Sequence, residues 1–396
     1  MRTHECLCTH RIIDIMEMTE MYNVLTLNKI AKIGLDRLGD NYAVANECAA
    51  PDAVIVRSAA MHDMDLPESL LAIARAGAGT NNIPIDKCTQ QGIAVFNTPG
   101  ANANAVKELV LTGMLLASRN VLGGIAWAKT LKGNGDQVGK MVEKGKSQFV
   151  GPEIKGKTLG VIGLGAIGAL VANAAVALGM DVIGYDPFLT PAAAARLDAA
   201  VKTTANIEDI YAVSDYVTLH VPLTADTKGL INADTLAKMK DSVRIMNFSR
   251  DGLVNSTDIL AGIKSGKIAA YVTDFATDDL LGEEGVIAIP HLGASTPESE
   301  DNCAVMAADE VKAYIETGAV INSVNLPRVE LAKAEGTRVT VIHKSDDAVT
   351  ASIKAIAAQA VTAVRGDVAY TVVDTEDDVA DKISAVDGVI KVRVIK

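Results

Sequence analysis

The chain has 396 residues, of which 49% are hydrophobic and 22% are charged, so it is long enough for two or three globular domains. Its formal net charge is −12 and it contains no lysine- or arginine-rich run. This argues against nucleic acid or an anionic membrane as a partner. Five cysteines in so long a chain do not form a disulfide framework, and we therefore expect a cytoplasmic protein.

The N-terminal segment contains the motif HECLCTH, in which Cys6 and Cys8 lie between two histidines. No second cysteine pair lies near this Cys-x-Cys spacing, so we expect no metal site here. Acidic residues interrupt the apolar runs of the segment, which argues against a secretory signal. We expect residues 1–20 to be a disordered extension and the first strand to begin near Met21.

The next part of the chain, up to Pro99, alternates between short apolar runs and helical patterns. DAVIVRS predicts a strand, PESLLAIARA a helix before GAGTNN, and GIAVFNT another strand. This alternation is typical of a parallel α/β sheet. A long helix, ANAVKELVLTGMLLASRN, is predicted next, and the Lys- and Gly-rich residues 129–148 predict a solvated connector.

A second α/β series begins with the strand TLGVIG and the helix AIGALVANAAVALG. Residues 158–180 carry no charge and are long enough to span a bilayer, but their five glycines and strand-like start favour a strand, a turn and a buried helix. Further strands are predicted at MDVIGYD, SDYVTLHVPL, SVRIMNFS, AAYVTDF and GVIAIPH. A long helix follows, and the last sixty residues predict a small ferredoxin-like module, β-α-β-α-β with a possible extra strand.

The motif GLGAIG predicts a dinucleotide site, because an apolar strand precedes it and a helix follows. Gly163 would make the tight turn, Gly165 would let the backbone approach a pyrophosphate, and Gly168 would let the helix pack on the strand. Asp186 ends the next strand and would bind the adenosine ribose hydroxyls, which favours NAD over NADP. The alternative is a glycine turn without a ligand.

Three polar residues, Arg250, Asp274 and His291, follow later strands and should therefore face the nicotinamide end of this site. Histidine is suited to remove a hydroxyl proton near neutral pH, and arginine can clamp a carboxylate and polarise the adjacent carbonyl. The pattern thus predicts dehydrogenation of a 2-hydroxy acid. Alternatively, His291 is an ordinary loop histidine, Arg250 pairs with Asp251, and the acidic pair after Asp274 is solvated.

The motifs FVGPEIKGKTLGVIGLGAIG, YVTLHVPLTADTKGLIN, NFSRDGLVN, TDF and PHLGASTPES together resemble the D-isomer-specific 2-hydroxyacid dehydrogenases over about residues 52–325. The resemblance implies two doubly wound parallel-sheet (Rossmann/flavodoxin-like) domains and a C-terminal ferredoxin-like ACT module. It implies a substrate domain of residues 21–100 and a returning segment 300–330. The NAD-binding domain would comprise residues 101–299, and the ACT-like regulatory module residues 335–396.

The resemblance also implies roles for individual residues. The catalytic residues would be Arg250, His291 and Asp279, where the family ordinarily has glutamate at the last position. The cofactor-binding residues would be Gly163, Gly165, Ala166, Ile167, Gly168, Asp186, Pro222, Thr227, Phe248, Ser249, Asp274, Gly293 and Ala294. The substrate-binding residues would be Arg57, Ser58, Ala78, Gly79 and Asn102. His220 would have a structural role at a strand end.

The implied reaction is NAD-dependent oxidation of 3-phosphoglycerate to 3-phosphooxypyruvate, the first step of phosphorylated serine synthesis. The alternatives are a glyoxylate or hydroxypyruvate reductase and an NAD-sensing binding protein on the same fold. In the C-terminal module, Ser345, Asp346 and Asp347 replace the asparagine and Pro-Gly turn of ACT domains, whereas His343 persists. Because of these replacements, we expect regulation by serine to be weak or absent. ACT domains commonly pair side by side, so we also expect a homo-oligomer, either a dimer or a tetramer.

Overall fold

The computed structural model describes residues 21–332, 334 and 336–396. The expected extension at residues 1–20, with Cys6 and Cys8, lies outside the described residues. Among the described residues, no single helix has both the length and the apolar character to cross a membrane. The segment 103–130 meets these criteria only as two helices that bend by 64° at their junction.

The first sheet has five parallel strands in the order β2-β1-β3-β4-β5. Its strands are β1 Tyr22–Leu27, β2 Tyr42–Ala45, β3 Ala53–Val56, β4 Ala72–Arg75 and β5 Ala94–Asn97, with helices α1 Lys32–Leu35 and α2 Ile85–Gln90. This is the flavodoxin-like strand order, in which the carboxyl ends of the strands share one edge. Residues that follow those ends therefore gather along that edge.

The helix predicted for PESLLAIARA is wrong, because its second half forms strand β4. Ala72, Ile73 and Ala74 are fully buried between the neighbouring strands β3 and β5. A short apolar run gains hydrogen bonds and packing on both edges there, which outweighs the helical tendency of its alanines. As a consequence, Arg75 lies at the carboxyl end of a central strand.

The first crossover between the two larger sheets consists of helices α3 Ala103–Ser118, α4 Val121–Thr130 and α5 Val138–Gly145. The expected connector at residues 129–148 is largely exposed, but it is helical rather than irregular. Two single-turn 3-10 helices, Gly135–Gln137 and Lys146–Phe149, flank α5. The rings of Trp127 and Phe149 pack 5.3 Å apart and attach the end of this segment to α4.

The second sheet has seven parallel strands in the order β12-β11-β10-β9-β6-β7-β8. The strands are β6 Thr158–Ile162, β7 Asp181–Tyr185, β8 Lys202–Thr204, β9 Tyr216–Leu219, β10 Val243–Asn247, β11 Ile268–Thr273 and β12 Val286–Ala288. The helices are α6 Ala166–Ala177, α7 Pro191–Ala194, α8 Ile207–Val213, α9 Ala233–Ala237 and α10 Ser256–Ser265. The strand order reverses between β6 and β9, and in such sheets ligands bind outside the carboxyl ends at this point.

The second crossover is helix α11, Pro297–Thr317, which returns the chain to the first sheet. Its N-terminus is capped by the Thr296 side chain, which accepts a hydrogen bond from the Ser299 N–H at 3.1 Å. Ala304, Ala307 and Val311 on α11 are buried in the same hydrophobic core as the first sheet. Ser299 and Glu300, in the first turn of α11, line a cleft between the two parallel sheets.

The C-terminal part folds as β13 Arg338–Lys344, α12 Asp347–Ile356, β14 Val361–Arg365, β15 Val368–Asp374, α13 Ala380–Ser384 and β16 Val389–Ile395. The four strands form an antiparallel sheet in the order β14-β15-β13-β16. This β-α-β-β-α-β succession is the ferredoxin-like arrangement. The extra strand that the sequence left open is β14.

The helix-free face of this small sheet packs against the first sheet and α11. Ile342, Tyr370 and Val372 belong to one hydrophobic core with Tyr314 and Phe96. The Tyr370 hydroxyl donates a hydrogen bond of 2.7 Å to the Gly318 carbonyl oxygen. Burial of these aromatic and aliphatic side chains holds the C-terminal module on the first sheet.

Candidate active site

The turn between β6 and α6 has the form that a dinucleotide site requires. Gly163 has a φ of +94°, and a Cβ there would lie 2.5 Å from the His220 carbonyl oxygen. A Cβ at Gly168 would lie 1.9 Å from the Gly163 carbonyl oxygen, so only glycine lets α6 pack this closely. A Cβ at Gly165, by contrast, would have no atom of another described residue within 4 Å, apart from its neighbours in the chain. The turn is therefore packed at its two ends and open in its middle.

The open middle of the turn coincides with the N-terminus of α6. No side chain among the described residues caps this helix, so its first backbone N–H groups have no side-chain acceptor there. Unpaired N–H groups and the helix dipole together favour a phosphate at this position. Ala166 is the first residue of α6, and Ile167 packs on the core beneath the turn.

The Asp186 carboxylate lies at the end of β7, the strand next to this turn. Its Oδ2 accepts a hydrogen bond from the Leu164 N–H and its Oδ1 one from the Phe188 N–H, both at 2.9 Å. These bonds fix the carboxylate and leave lone pairs free for two ribose hydroxyls. The residues that follow, Pro187 and Phe188, carry no positive charge for a 2′-phosphate.

Two loops from β9 and β10 border the turn on its other side. Thr227 Oγ1 donates to the Pro222 carbonyl oxygen at 2.6 Å, and Ser249 Oγ donates to the Val221 carbonyl oxygen at 2.7 Å. Phe248 points away, since its ring is buried in the core and packs against α3. Of this residue, therefore, only the backbone is available to a cofactor.

His220 has the structural environment that was expected for it. Its Nε2 shares a hydrogen bond of 3.0 Å with Thr218 Oγ1, whereas its Nδ1 has no hydrogen-bond partner among the described residues. Burial lowers the pKa of His220 to about 3. The ring is therefore neutral at physiological pH and is not a general base.

A cleft of about 1480 Å³ lies between the carboxyl ends of the two parallel sheets, and both Arg250 and His291 line it. The Arg250 backbone is held by Asn247 Nδ2, which donates to its carbonyl oxygen at 2.9 Å. The His291 ring meets the edge of the Phe275 ring, with 5.0 Å between centroids. The two side chains that the sequence placed after separate strands thus share one cleft.

Asp274 lies beneath these two residues and is 2% exposed. Its Oδ2 accepts a hydrogen bond of 3.3 Å from the Gly293 N–H, whereas its buried Oδ1 has no hydrogen-bond partner in the described part of the chain. Burial raises the pKa of Asp274, although the nearby charges of His291 and Arg250 oppose this. A buried oxygen without a partner is costly, so it marks a place for a ligand amide or hydroxyl.

Asp279 does not occupy the position that was expected for the acid partner of His291. Its Oδ1 accepts a hydrogen bond of 2.5 Å from Thr277 Oγ1. Within the part of the chain that the structure describes, no hydrogen bond or ion pair connects Asp279 to His291. The shorter aspartate side chain bonds within its own loop instead of to the imidazole.

The expected substrate residues all line the same cleft, from its opposite wall: Arg57, Ser58, Ala78, Gly79 and Asn102. Arg57 follows β3, and its Nη2 forms an ion pair of 2.7 Å with Glu300 Oε1 on α11. The cleft is also lined by Lys29, Arg75 and Lys87, with Asp86 and Glu300 as carboxylates. This surplus of positive charge suits an anionic substrate.

Arg75 is a cleft residue that sequence reasoning missed, because its strand was read as a helix. Burial lowers the pKa of Arg75, and the charges of Arg250 and Arg57 act in the same direction. A Cβ built at Gly79 would lie 3.6 Å from Arg75 Nη1 and 3.9 Å from Arg250 Nη2. The two guanidinium groups thus flank one glycine. In the sequence, the arginine directly before AGAGT was the signal that could have indicated a cleft residue.

No cluster of three or more histidine, cysteine, aspartate or glutamate side chains with metal-binding geometry occurs among the described residues. Open space at Gly165 and the α6 N-terminus instead fit the pyrophosphate of a dinucleotide. The Asp274 Oδ1, which has no partner among the described residues, fits its terminal amide.

Residues 112–293 match the family model described as the NAD-binding domain of D-isomer-specific 2-hydroxyacid dehydrogenases. D-3-phosphoglycerate dehydrogenase of Bacillus subtilis (strain 168) is 33% identical over 343 residues, which cover 82% of this chain and 62% of that protein. The chain spans about half to three-fifths of the length of the curated relatives that it matches.

Solved structures show the same similarity at the level of the fold. A glyoxylate reductase from Paecilomyes thermophila has a TM-score of 0.64 at 25% identity, covering 77% of this chain and 98% of that chain. NAD+-bound 3-phosphoglycerate dehydrogenase from Entamoeba histolytica has a TM-score of 0.58 at 26% identity, covering 77% and 99%. The α/β fold with parallel sheets that was expected from the sequence is confirmed.

Proposed function

Because this chain belongs to the D-isomer-specific 2-hydroxyacid dehydrogenase family, we propose that it oxidises 3-phosphoglycerate to 3-phosphooxypyruvate with NAD. The observation that carries the proposal is the cleft in which Arg250 and His291 face Arg57 and Arg75. Arg250 and His291 suit the carboxylate and hydroxyl of the substrate, and the two other arginines suit its phosphate. The reaction would supply the first intermediate of phosphorylated serine synthesis.

NAD is the cofactor that the turn after β6 and Asp186 are built to hold, within the segment that matches the family's NAD-binding domain. Gly163, Gly165, Ala166, Ile167 and Gly168 would meet its pyrophosphate. Its nicotinamide end would lie near Asp274, Gly293 and Ala294, and Pro222, Thr227, Phe248 and Ser249 would border the path between. A bound NAD would supply the acceptor for the hydride from C2 of the acid.

The protein residues would move the proton and hold the substrate. Arg250 would clamp the substrate carboxylate through two N–H groups and stabilise the negative charge that develops beside it. The His291 imidazole would take the proton of the C2 hydroxyl as the hydride leaves, and in reverse would return it. We assign Asp279 no direct role in orienting His291, since its carboxylate is bonded to Thr277.

We also propose the domain division that the resemblance implied. Residues 21–100 with 300–330 form the substrate domain, residues 101–299 the NAD-binding domain, and residues 335–396 an ACT-like module. In that module, Asp346 caps α12 by accepting the Ala348 N–H at 2.7 Å, and His343 is buried against Thr371. A carboxylate at this helix start would repel a ligand carboxylate, so regulation by serine would be weak or absent.

We propose that the chain works as a homo-oligomer, dimer or tetramer, in the cytoplasm. The free thiols of Cys48, Cys88 and Cys303 are compatible with a reducing compartment. Sedimentation of the full chain would determine the oligomeric state.

The decisive experiment is a substrate panel followed by NADH absorbance, with 3-phosphoglycerate, D-glycerate, glyoxylate and hydroxypyruvate, each with and without serine. We expect turnover of 3-phosphoglycerate with NAD and little effect of serine. Activity confined to unphosphorylated acids would instead indicate a glyoxylate or hydroxypyruvate reductase. Tight NAD binding without turnover of any acid would indicate an NAD-sensing protein.

A further inference from the structure

The ion pair between Arg57 and Glu300 connects the end of strand β3 with the first turn of α11 at the cleft. Arg57 follows β3 of the first sheet, whereas Glu300 lies in the first turn of α11. Their side chains are 38% and 42% exposed, and 2.7 Å separates Nη2 from Oε1. The contact is thus neither a buried structural pair nor a remote surface pair, because both partners line the candidate active site.

A phosphate and the Glu300 carboxylate require the same donor on Arg57. A guanidinium binds a phosphate most strongly when two of its N–H groups point at two oxygens. The Nη2 of Arg57 is already bonded to Glu300 Oε1. A phosphate that approached this arginine would also meet the negative charge of Glu300 at close range, so both anions cannot be accommodated at full strength.

We propose that Glu300 is a specificity-determining residue whose carboxylate occupies the phosphate position on Arg57 and must leave before a phosphorylated acid binds. The proposal rests on the proposed function of the cleft. It adds a residue that sets how strongly the cleft prefers acids with a phosphate over acids without one. An acid without a phosphate does not use Arg57, so Glu300 weakens binding of phosphorylated acids alone. The charge of Glu300 thus reduces the ratio by which the cleft binds phosphorylated acids more tightly than unphosphorylated ones.

The partial exposure of both side chains makes this exchange feasible. Ion pairs in contact with water are weak, since solvent screens them and their long side chains lose freedom. Glu300 can therefore turn into the solvent at a small cost when a doubly charged phosphate arrives. Because the cost applies equally to the bound substrate and to the transition state, it affects KM and leaves kcat unchanged.

The test is Glu300→Gln, which keeps the size of the side chain and its oxygen acceptor but removes the charge. We expect KM for 3-phosphoglycerate to fall threefold to tenfold at low ionic strength, with kcat within twofold of the wild type. The inhibition constant of inorganic phosphate should fall by the same factor. The KM or inhibition constant of D-glycerate should stay within twofold.

Two further variants make the test specific. Glu298→Gln removes a carboxylate from the same helical turn, but this exposed side chain forms no described ion pair and does not line the cleft. Glu298→Gln should leave KM and kcat for 3-phosphoglycerate, and the inhibition constant of phosphate, within twofold of the wild type. In an Arg57→Met background, Glu300→Gln should no longer change KM for 3-phosphoglycerate, because the shared donor is gone.

An unchanged KM for 3-phosphoglycerate in Glu300→Gln would overturn the proposal. So would an equal fall for D-glycerate, or an equal fall in Glu298→Gln. Failure of the proposed function would look different, as absence of 3-phosphoglycerate oxidation in the wild type and in every variant. Calorimetric titration of the NADH complex with inorganic phosphate would then still test whether Glu300 competes with phosphate for Arg57. Tighter phosphate binding by Glu300→Gln than by the wild type supports this competition, and equal binding refutes it.

Discussion

The Nε of Arg75 donates a hydrogen bond of 3.0 Å to the carbonyl oxygen of Arg57, and this bond joins the carboxyl ends of β3 and β4. The Nη1 of Arg75 lies beside Gly77 and Gly79, and Gly79 also adjoins Arg250. Backbone and side chain thus fix the two arginines as one unit. A phosphorylated acid that reached Arg250 would meet both of them.

Arg75→Met should therefore impair binding of the proposed phosphorylated substrate. We expect KM for 3-phosphoglycerate to rise at least tenfold, which corresponds to about 1.4 kcal/mol, with a smaller change in kcat. The affinity for NAD, measured by fluorescence of the bound dinucleotide, should not change. Arg196→Met is the matched control, because Arg196 is exposed and lies outside the cleft. Equal effects of the two variants would contradict a role for Arg75.

Gly165 and Gly168 should respond differently to the same substitution. Gly168→Ala should lower the free energy of unfolding by about 3 kcal/mol, because its Cβ would lie 1.9 Å from a backbone oxygen. Gly165→Ala should fold with nearly normal stability, since its Cβ meets no protein atom, but should bind NAD at least tenfold more weakly. Urea unfolding and NADH titration measure the two effects. Normal NAD affinity in Gly165→Ala would place the pyrophosphate elsewhere.

Asp279→Asn should have little effect on catalysis. Its carboxylate bonds to Thr277, so we expect kcat/KM to fall less than threefold, similar to the neighbouring Asp278→Asn. His291→Asn, by contrast, should reduce kcat by about 10²-fold or more, because it removes the proposed general base. Steady-state kinetics near neutral pH would check all three. A hundredfold loss in Asp279→Asn without such a loss in Asp278→Asn would show that the Asp279 loop closes onto His291 during turnover.

Glu310 should make stability fall as the pH rises. It is 4% exposed on α11, and burial raises the pKa of Glu310 to about 8 despite a hydrogen bond of 2.7 Å from Asn322 Nδ2. Between about pH 4.5 and pH 8, the folded chain retains a proton that the unfolded chain releases, so stability decreases through this window. Below about pH 4.5, Glu310 is protonated in both the folded and the unfolded chain, so its ionisation does not affect the free energy of unfolding.

Glu310→Gln should flatten this pH dependence and raise stability above pH 8, by on the order of a few kcal/mol. Urea unfolding at pH 5, 7 and 9 would measure it. Glu284→Gln is the control, because this glutamate is exposed and forms no described ion pair. Parallel pH profiles for wild type and Glu310→Gln would contradict the assignment.

Tyr370→Phe should weaken the attachment of the C-terminal module. The variant loses the 2.7 Å hydrogen bond to the Gly318 carbonyl oxygen and leaves that oxygen buried without its donor. We expect a loss of about 1–2 kcal/mol in the free energy of unfolding. Tyr185→Phe, whose hydroxyl makes no described hydrogen bond, should cost under about 0.5 kcal/mol. Equal losses would argue against the docked arrangement.

Much of the cofactor site was predictable from the sequence, because it depends on local chain geometry. A strand, three glycines at fixed spacing and a helix define the backbone of the turn within residues 158–177, and Asp186 follows at the next strand end. The same holds for Arg250 and His291, since an apolar run that ends in polar residues marks the carboxyl end of a strand. In a parallel sheet those ends share one edge.

Only the tertiary structure decided which side chains pair. Nothing local distinguishes an alanine-rich helix from β4, whose neighbouring strands bury it, and that difference puts Arg75 in the cleft. The Arg57–Glu300 pair, the Thr277 bond of Asp279 and the docking of Tyr370 on Gly318 depend equally on distance in space. Backbone preference acts over a few residues, whereas the partners of a charge or a buried hydroxyl are set by the packing of whole sheets.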